Sequence, residues 1–258
     1  MTAYKKALEL DTSPSIFNDI GYELADANKQ LPLALECAQK AVHDEEDSGK
    51  LKMFEVKNED LRYSSTLPAY RDTLGWVYFR MGTYDKTESY LQAAWVLSQA
   101  EVIGDHLGQV YEIEHKKEQA IRMYQLALTA PRNPESMKET KARLEHLGGA
   151  ANSGSFHASA NEELNKMRTV NLERVTPEAA TAELLIIFGP GSKVEEVKFV
   201  SGSEKLKGGE KVLNTTAFHL PFPDDGPTKL LRRGILSCSA ISGCSFVLYL
   251  PDSVRSVN

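Results

Sequence analysis

Three segments in the first half of the chain carry the same arrangement of small and large residues, and this recurrence constrains the fold more than any other feature. In each segment a large apolar residue directly precedes a glycine, and another large residue follows it three positions later. The glycines are Gly21, Gly75 and Gly108, and the last two are 33 positions apart. A second stretch follows each glycine and places similar residues at closely matching offsets. These residues are Ala34, Ala38 and Ala41, then Thr87, Leu91 and Ala94, then Ala120, Tyr124 and Ala127.

The pattern is typical of paired amphipathic helices. Apolar residues at helical spacing form one face, and two helices approach closely only where a small residue lies at their crossing point. One hairpin cannot bury its apolar face alone, so neighbouring hairpins stack. The recurrence therefore predicts stacked helical hairpins over residues 14–131. A generic helical bundle with coincidental spacing is the alternative.

The spacing and the residue types resemble the tetratricopeptide repeat. The stretch Gly-Thr-Tyr-Asp at 82–85 supplies the turn that this family has between its paired helices. The resemblance implies an α-helical tetratricopeptide-type solenoid, which we assign to residues 1–147. Its last predicted helix lies in SMKETKARLEHLGG and ends at Gly148-Gly149. The polar face of that helix is expected to cap the open end of the stack.

Two features depart from a regular array. Gly21 and Gly75 are 54 positions apart, and the excess is charged and turn-rich, so an inserted loop or short hairpin is predicted at 43–68. The segment AYKKALEL matches the second helix of a repeat but has no partner helix before it. Residues 2–10 are therefore expected to form a helix on the first helix of the Gly21 repeat, and Met1 to follow a truncation or an internal start. The apolar face of this helix is expected to comprise Tyr4, Leu8 and Leu10 or Ala7.

A linker rich in Gly, Ala and Ser is predicted at 148–161, followed by a small α+β domain at 162–258. Strand-like alternation begins near residue 181. The predicted order is two strands, a helix over 203–218 and two more strands, which gives a small antiparallel sheet with one helix packed on it. The preceding residues, ELNKMRTVNLERVTPE, are expected to form a short helix and an extended arm.

The second half resembles the C-terminal domain of TonB-like proteins. In that family a hairpin carries a V-x-x-V-x-x-x-S-G stretch, here Val194 to Gly202, and a helix then leads to an aromatic-and-proline segment, here Phe218 to Pro223. The whole chain resembles the C-terminal portion of bacterial exported proteins with a transglutaminase-like domain ahead of such repeats, through GYELADAN, YRDTLGWVYFRMG and LLRRGILSCS. This likeness implies that any catalytic domain lies outside the chain and that the protein is periplasmic or secreted, although its N-terminus shows no signal-peptide pattern.

Charge and motifs favour a binding protein over an enzyme. The net charge of −6 at pH 7 comes from residues 1–160, so neither half has the basic surface of a nucleic-acid binder. The sequence contains no glycine-rich phosphate loop and no hydrolase nucleophile elbow, and we expect no cofactor. The histidines follow no metal-binding spacing and are predicted to be surface or linker residues. They are His43, His106, His115, His146, His157 and His219.

Cys238 and Cys244 flank a five-residue hairpin loop, so they could face each other across two strands. A structural disulfide that pins an edge hairpin and a pair of reduced packing thiols both remain open, and the compartment decides between them. A metal site would need two further ligands, and a redox pair usually has C-x-x-C spacing. Cys37 lies in a helical pattern, where a small buried thiol is expected.

A concave groove is the predicted binding site. The repeat resemblance implies that the groove is lined by first-helix residues three before, one after and four after each glycine. Acids and aromatics at these positions favour a basic or apolar protein segment over a C-terminal carboxylate. Alternatively, some of the aromatics pack beneath the insertion or against the second domain. The predicted groove residues are Asn18, Tyr22, Asp72, Trp76, Phe79, Asp105, Gln109 and Glu112.

Two functions are therefore weighed. The first is a protein–protein interaction scaffold that binds a peptide or partner protein through the groove. The second is the non-catalytic C-terminal region of a larger transglutaminase-like or protease-like exported enzyme. Self-association through an uncovered N-terminal helix is also expected, because exposed apolar surface invites it.

Overall fold

The computed structural model describes residues 2–48, 63–129, 134–150, 162, 165, 166, 168–223 and 230–249. The described residues fall into two compact units, one drawn from 1–45 and 67–163 and the other from 46–66 and 164–258. None of the described helices is long and apolar enough to cross a membrane. The helices ahead of the sheet are α1 (Thr2–Leu10), α2 (Pro14–Asp26), α3 (Leu31–Ser48), α4 (Tyr63–Arg80), α5 (Tyr84–Leu97), α6 (Glu101–Ile113), α7 (Lys117–Ala127) and α8 (Pro134–His146).

Three helical hairpins are formed by α2 with α3, α4 with α5, and α6 with α7. In each hairpin the glycine of the first helix lies against the second helix, at a point where a Cβ atom would press on a side chain. A small residue is therefore required at each crossing, as the sequence pattern predicts. The closest side-chain approaches to an added Cβ are Gly21 to Ala38 Cβ at 3.3 Å, Gly75 to Leu91 Cγ at 2.8 Å and Gly108 to Tyr124 Cε1 at 2.2 Å.

The N-terminal helix and the predicted insertion match the sequence expectations only in part. Helix α1 packs on α2, as predicted. Its last residue, Leu10, is 79% exposed and does not belong to the packing face. Helices α3 and α4 extend into the predicted insertion at 43–68 from both sides, because its polar and acidic residues still tolerate helical backbone. The middle of that insertion, 49–62, lies outside the described residues.

Helix α8 contacts both α6 and α7. It ends at His146, and Gly148, two residues later, has a φ of 79°, the left-handed conformation that terminates helices. The contact with α6 places α8 beside a first helix as well as at the end of the stack. This position makes α8 one wall of the site described below. Most of the predicted linker, 151–161, lies outside the described residues.

The second unit is a five-stranded antiparallel sheet in the order β1-β5-β4-β2-β3. Four strands and the intervening helix were predicted, and β1 is the addition. It forms from the predicted extended arm and pairs Val170 with Phe246 of β5. Four residues are too few to show a strand-like alternation, so the sequence did not reveal it. The strands are β1 (Thr169–Leu172), β2 (Ala180–Phe188), β3 (Val194–Gly202), β4 (Leu230–Ser239) and β5 (Gly243–Leu248).

One face of the sheet is covered by α9 (Gly209–Thr215) and by the aromatic segment after it. The helix was predicted over 203–218 but is shorter, since a 3₁₀ turn (Glu204–Leu206) precedes it. Gly209 allows close approach to the sheet, because a Cβ there would lie 2.3 Å from Leu236 Cδ2. Phe218 packs edge-on against Phe188, with ring centroids 5.0 Å apart.

Candidate functional site

A groove opens in the helical unit between α2, α4, α6 and α8. Its volume is about 340 Å³, which is at the small end of the range for ligand pockets. Helices α2, α4 and α6 are the first helices of the three hairpins, so the groove follows the row that the sequence pattern indicated. We call the following residues the groove: Tyr22, Asp26, Trp76, Arg80, Glu101, Val102, Asp105, His106, Gln109, Glu139, Thr140 and Arg143.

The groove uses positions one and five after the crossing glycines. Tyr22 and Asp26 occupy them on α2, and Trp76 and Arg80 occupy them on α4. Residues four apart lie almost above one another on a helix, about 40° apart around its axis. The residue four after the glycine is three residues beyond the first position. It therefore lies about 60° from that position, in the opposite direction around the helix. The predicted position directly after the glycine therefore lines the groove on all three helices, whereas the predicted position four after the glycine does not.

Four residues that were predicted to line the groove lie outside it, namely Asn18, Asp72, Phe79 and Glu112. Glu112 is half-buried and accepts a short hydrogen bond from the Tyr124 hydroxyl of α7, so it belongs to the α6–α7 packing. Asn18 is half-buried, and its Nδ2 donates to Asp19 Oδ1 at 3.5 Å. Glu112 turns away from the groove because it lies about 60° around the helix from Gln109. Asn18 lies four residues before Tyr22, on the same side of α2, but does not line the groove.

Asp105 is the centre of a hydrogen-bond network that joins α6 to α8. Arg143 Nη1 donates to its two carboxylate oxygens at 3.1 and 3.0 Å, and Gln109 Nε2 donates at 2.8 Å. The Thr140 hydroxyl lies 2.8 Å from Asp105 Oδ1 and 2.5 Å from Glu101 Oε1. Asp105 is only 7% exposed, so these donors replace the water that its charge would otherwise require.

Trp76 forms the floor of the groove in a stack of parallel rings. Its ring centroid lies 4.7 Å from that of Phe79 and 4.0 Å from that of His106, with interplanar angles near 10° in both cases. The Arg80 guanidinium lies 5.4 Å from the ring centroid. Trp76 is 4% exposed, and Phe79 is half-buried against Trp76 and Tyr84 rather than lining the groove. Trp76 was expected to line the groove as an exposed aromatic side chain. It is buried and therefore offers little free surface to a ligand.

Asp72 lies beneath the groove and holds His106. The histidine Nδ1 donates to Asp72 Oδ1 at 2.9 Å, and each side chain is 6% exposed. Burial lowers the pKa of His106, but the charge and hydrogen bond of Asp72, with the charge of Asp105, outweigh burial and the opposing charge of Arg143. The pKa of His106 is therefore raised. The prediction that His106 is a surface residue was wrong. The histidine is buried because it packs against Trp76 and Asp72 of α4, a contact that the sequence alone does not show.

The mouth of the groove is acidic. Burial raises the pKa of the Tyr22 hydroxyl, and the charges of Asp26, Asp72, Asp105 and Glu139 raise it further. Asp26 and Glu139 are exposed, and Tyr22 is 36% exposed. These three side chains are the part of the groove that an incoming segment can reach.

The two arginines of the groove are already engaged. Arg80 donates from Nε to Ala25 O at 2.9 Å and from Nη2 to Asp26 O at 2.7 Å, which satisfies carbonyls at the end of α2. Arg143 donates to Asp105. The groove has four carboxylates and two guanidinium groups. Because the guanidinium groups do not balance all the carboxylates, the electrostatic potential at the mouth is negative.

Sequence reasoning missed the contribution of α8. Glu139, Thr140 and Arg143 form one polar face of that helix, and this spacing is visible in the sequence. The face was interpreted as a solvated cap because nothing in the sequence shows that α8 contacts α6. Arg80 was missed because the groove was assumed to use the fourth residue after the glycine, whereas Arg80 is the fifth.

Cys238 and Cys244 are joined by a disulfide bond in the β4–β5 hairpin. They are directly opposite each other in the strand register. The hairpin was expected at an edge of the sheet. It lies inside the sheet instead, because β1 pairs with β5. Cys37 is a free, buried thiol, as predicted.

No group of three or more potential metal ligands occurs among the residues that the structure describes. Comparisons of the chain with protein-family models, with curated proteins and with solved structures found no match.

Proposed function

We propose that the helical unit is a tetratricopeptide-type scaffold that binds a segment of a partner protein in the groove. The three glycine crossings support the repeat assignment, because equivalent residues meet in each hairpin. The observation that carries the function is the acidic mouth formed by Asp26 and Glu139 beside the partly exposed Tyr22. The proposed role is binding without catalysis, and it requires no cofactor.

The exposed side chains of the mouth favour a segment with Lys or Arg and apolar residues. A cation between Asp26 and Glu139 gains attraction from both, and its aliphatic part can lie on the Tyr22 ring. Each exposed carboxylate contributes about 1 kcal/mol or less, and salt weakens that contribution. A terminal carboxylate is disfavoured, because the guanidinium groups of Arg80 and Arg143 are already engaged.

Trp76 has a supporting role in this proposal. Its ring stacks against His106 and Phe79, and the Arg80 guanidinium lies over the ring. Loss of the ring is expected to weaken binding by distorting the groove, and to lower the stability of the helical unit at the same time.

The proposal is tested with the full chain and a fluorescent peptide array at low and moderate salt. Peptides with Lys or Arg beside apolar residues should be preferred over acidic peptides. The variant Asp26→Asn/Glu139→Gln should weaken binding by roughly 5- to 20-fold, which corresponds to about 1–2 kcal/mol.

The matched control is Glu36→Gln/Glu118→Gln, which makes the same change in charge at exposed positions of α3 and α7. It should leave binding within about two-fold, a difference of roughly 0.4 kcal/mol. A preference for acidic peptides, or equal loss in the two double variants, would contradict the proposed groove.

A second candidate is the non-catalytic C-terminal region of a larger exported enzyme of the transglutaminase-like or protease-like kind. The disulfide between Cys238 and Cys244 favours this placement, because such bonds persist in oxidising compartments. The two proposals are compatible, since a groove in such a region would recruit a partner or substrate for a catalytic domain elsewhere.

A further inference from the structure

His106 and Asp72 place a titratable pair at the floor of the groove. The His106 side chain lines the groove although it is buried, and its Nδ1 donates to Asp72 Oδ1 at 2.9 Å. One face of the imidazole lies on the Trp76 ring, with centroids 4.0 Å apart. An ionised carboxylate only accepts hydrogen bonds, so Nδ1 keeps its proton and the imidazole gains or loses its charge at Nε2.

The charged and titratable groups around His106 come from all four helices of the groove. Five carboxylates and two guanidinium groups give a formal charge of −3 with a neutral imidazole and of −2 with an imidazolium. One proton therefore removes a third of the net negative charge. The groups are Tyr22 and Asp26 on α2, Asp72 and Arg80 on α4, Glu101 and Asp105 on α6, and Glu139 and Arg143 on α8.

The charge beneath the groove acts at its mouth. Burial raises the pKa of the Tyr22 hydroxyl, and among the charges that raise it further is that of Asp72. An imidazolium 2.9 Å from that carboxylate opposes its field at the mouth. Protonation of His106 thus reduces the attraction for a cation beside Tyr22, and no helix has to move.

We propose that the His106–Asp72 pair makes the groove a pH-sensitive binding site, in which a basic segment binds more tightly when the His106 imidazole is neutral. This inference rests on the proposed function, since it concerns the same groove. A Lys or Arg side chain at the mouth and the imidazolium repel each other, so each disfavours the other. Linkage makes the effect reciprocal, and binding of the segment should therefore promote loss of the His106 proton.

The direction of the pH effect follows from the pair. Burial lowers the pKa of His106, but the charge and hydrogen bond of Asp72 outweigh it and hold the pKa above 6.5. The protonated fraction falls as the pH rises through that pKa, so affinity for a basic segment should still be rising above pH 6.5. The opposing account is that the pair serves only to pack α6 against α4.

The test is fluorescence anisotropy of the full chain with the best basic peptide from the array, in a version with blocked termini and no histidine. The dissociation constant is measured from about pH 6 to about pH 9 at constant ionic strength, a range in which Lys and Arg stay cationic. Affinity should rise roughly three- to ten-fold across the titration of His106. His106→Asn, which can still donate to Asp72, should remove the rise, and His146→Asn on the exposed side of α8 should retain it.

NMR of the His106 imidazole in the wild-type protein provides a second readout that does not depend on the folding of a variant. Saturating peptide should lower the pKa of His106, which a pair that serves only packing would not show. An affinity independent of pH, an equal rise in His106→Asn, or an unchanged His106 pKa on binding would overturn the inference and leave the proposed function intact. Failure of every basic peptide to bind at any pH would overturn both.

Discussion

Gly21, Gly75 and Gly108 occupy equivalent crossing points but are not equally constrained. A Cβ on Gly108 would lie 2.2 Å from the rigid ring of Tyr124, whereas a Cβ on Gly21 has its nearest contact at 3.2 Å. Gly108→Ala should therefore destabilise the helical unit by about 1–3 kcal/mol. Gly21→Ala should be near neutral, because alanine gains about 0.5–1 kcal/mol in helix propensity.

The loss of stability caused by Gly75→Ala should lie between those of the other two substitutions, because the Leu91 side chain that the new methyl group meets can shift. Tryptophan fluorescence during urea unfolding measures all three, because both tryptophans of the chain, Trp76 and Trp95, lie in the helical unit. Equal effects of the three substitutions would show that the crossings are looser than the structure indicates.

His106 should make the stability of the helical unit depend on pH. Its folded pKa is raised above 6.5, so its stabilising contribution is complete below that value and is lost as the pH rises through the folded pKa. The charges that set this pKa are Asp72 on α4, Asp105 on α6 and Arg143 on α8. The free energy of unfolding should thus fall above pH 6.5, by at most about 1.4 kcal/mol per pH unit from this group.

Urea unfolding across this range measures the slope. His106→Asn and Asp72→Asn should each flatten it, and His146→Asn, at an exposed position of α8, should leave it unchanged. An unchanged slope in His106→Asn would mean that another group titrates.

The β4–β5 hairpin is the element that its disulfide should stabilise. The closed loop is short, so the bond should contribute about 2 kcal/mol through reduced entropy of the unfolded chain. Cys238→Ser/Cys244→Ser should lower the stability of the second unit by that amount in calorimetry. Thiol titration in denaturant without reductant should find one thiol, Cys37, in freshly isolated native protein. Three titratable thiols would contradict the bond.

Helices and strands were predicted well where the cause is local. The hairpins follow from small residues at regular spacing, and β2 to β5 follow from alternation and turns. Helix α8 was identified, but its role as a groove wall depends on contacts with α6 that no local pattern encodes. Strand β1 was missed because Thr169–Leu172 becomes a strand only through pairing with β5.

In the molecule as a whole, half of the eight predicted groove residues line the groove. Tyr22, Trp76, Asp105 and Gln109 were predicted and line it. Asp72 was predicted at the surface but lies beneath it, because His106 covers it. Such details depend on how neighbouring helices rotate, and a shift of one position moves a side chain by about 100° around the helix.

The central claim is that the helical unit binds a basic segment in the groove, and photo-crosslinking tests it most directly. Benzoylphenylalanine is placed at Tyr22 in the groove, at Gln119 on the exposed side of α7, or at Ile241 at the tip of the β4–β5 hairpin. Ile241 is 96% exposed, so it is the more accessible control. The best basic peptide from the array should crosslink at Tyr22 and at neither control, and unlabelled peptide should suppress the product. Crosslinking at Gln119 or Ile241 without product at Tyr22 would contradict the account.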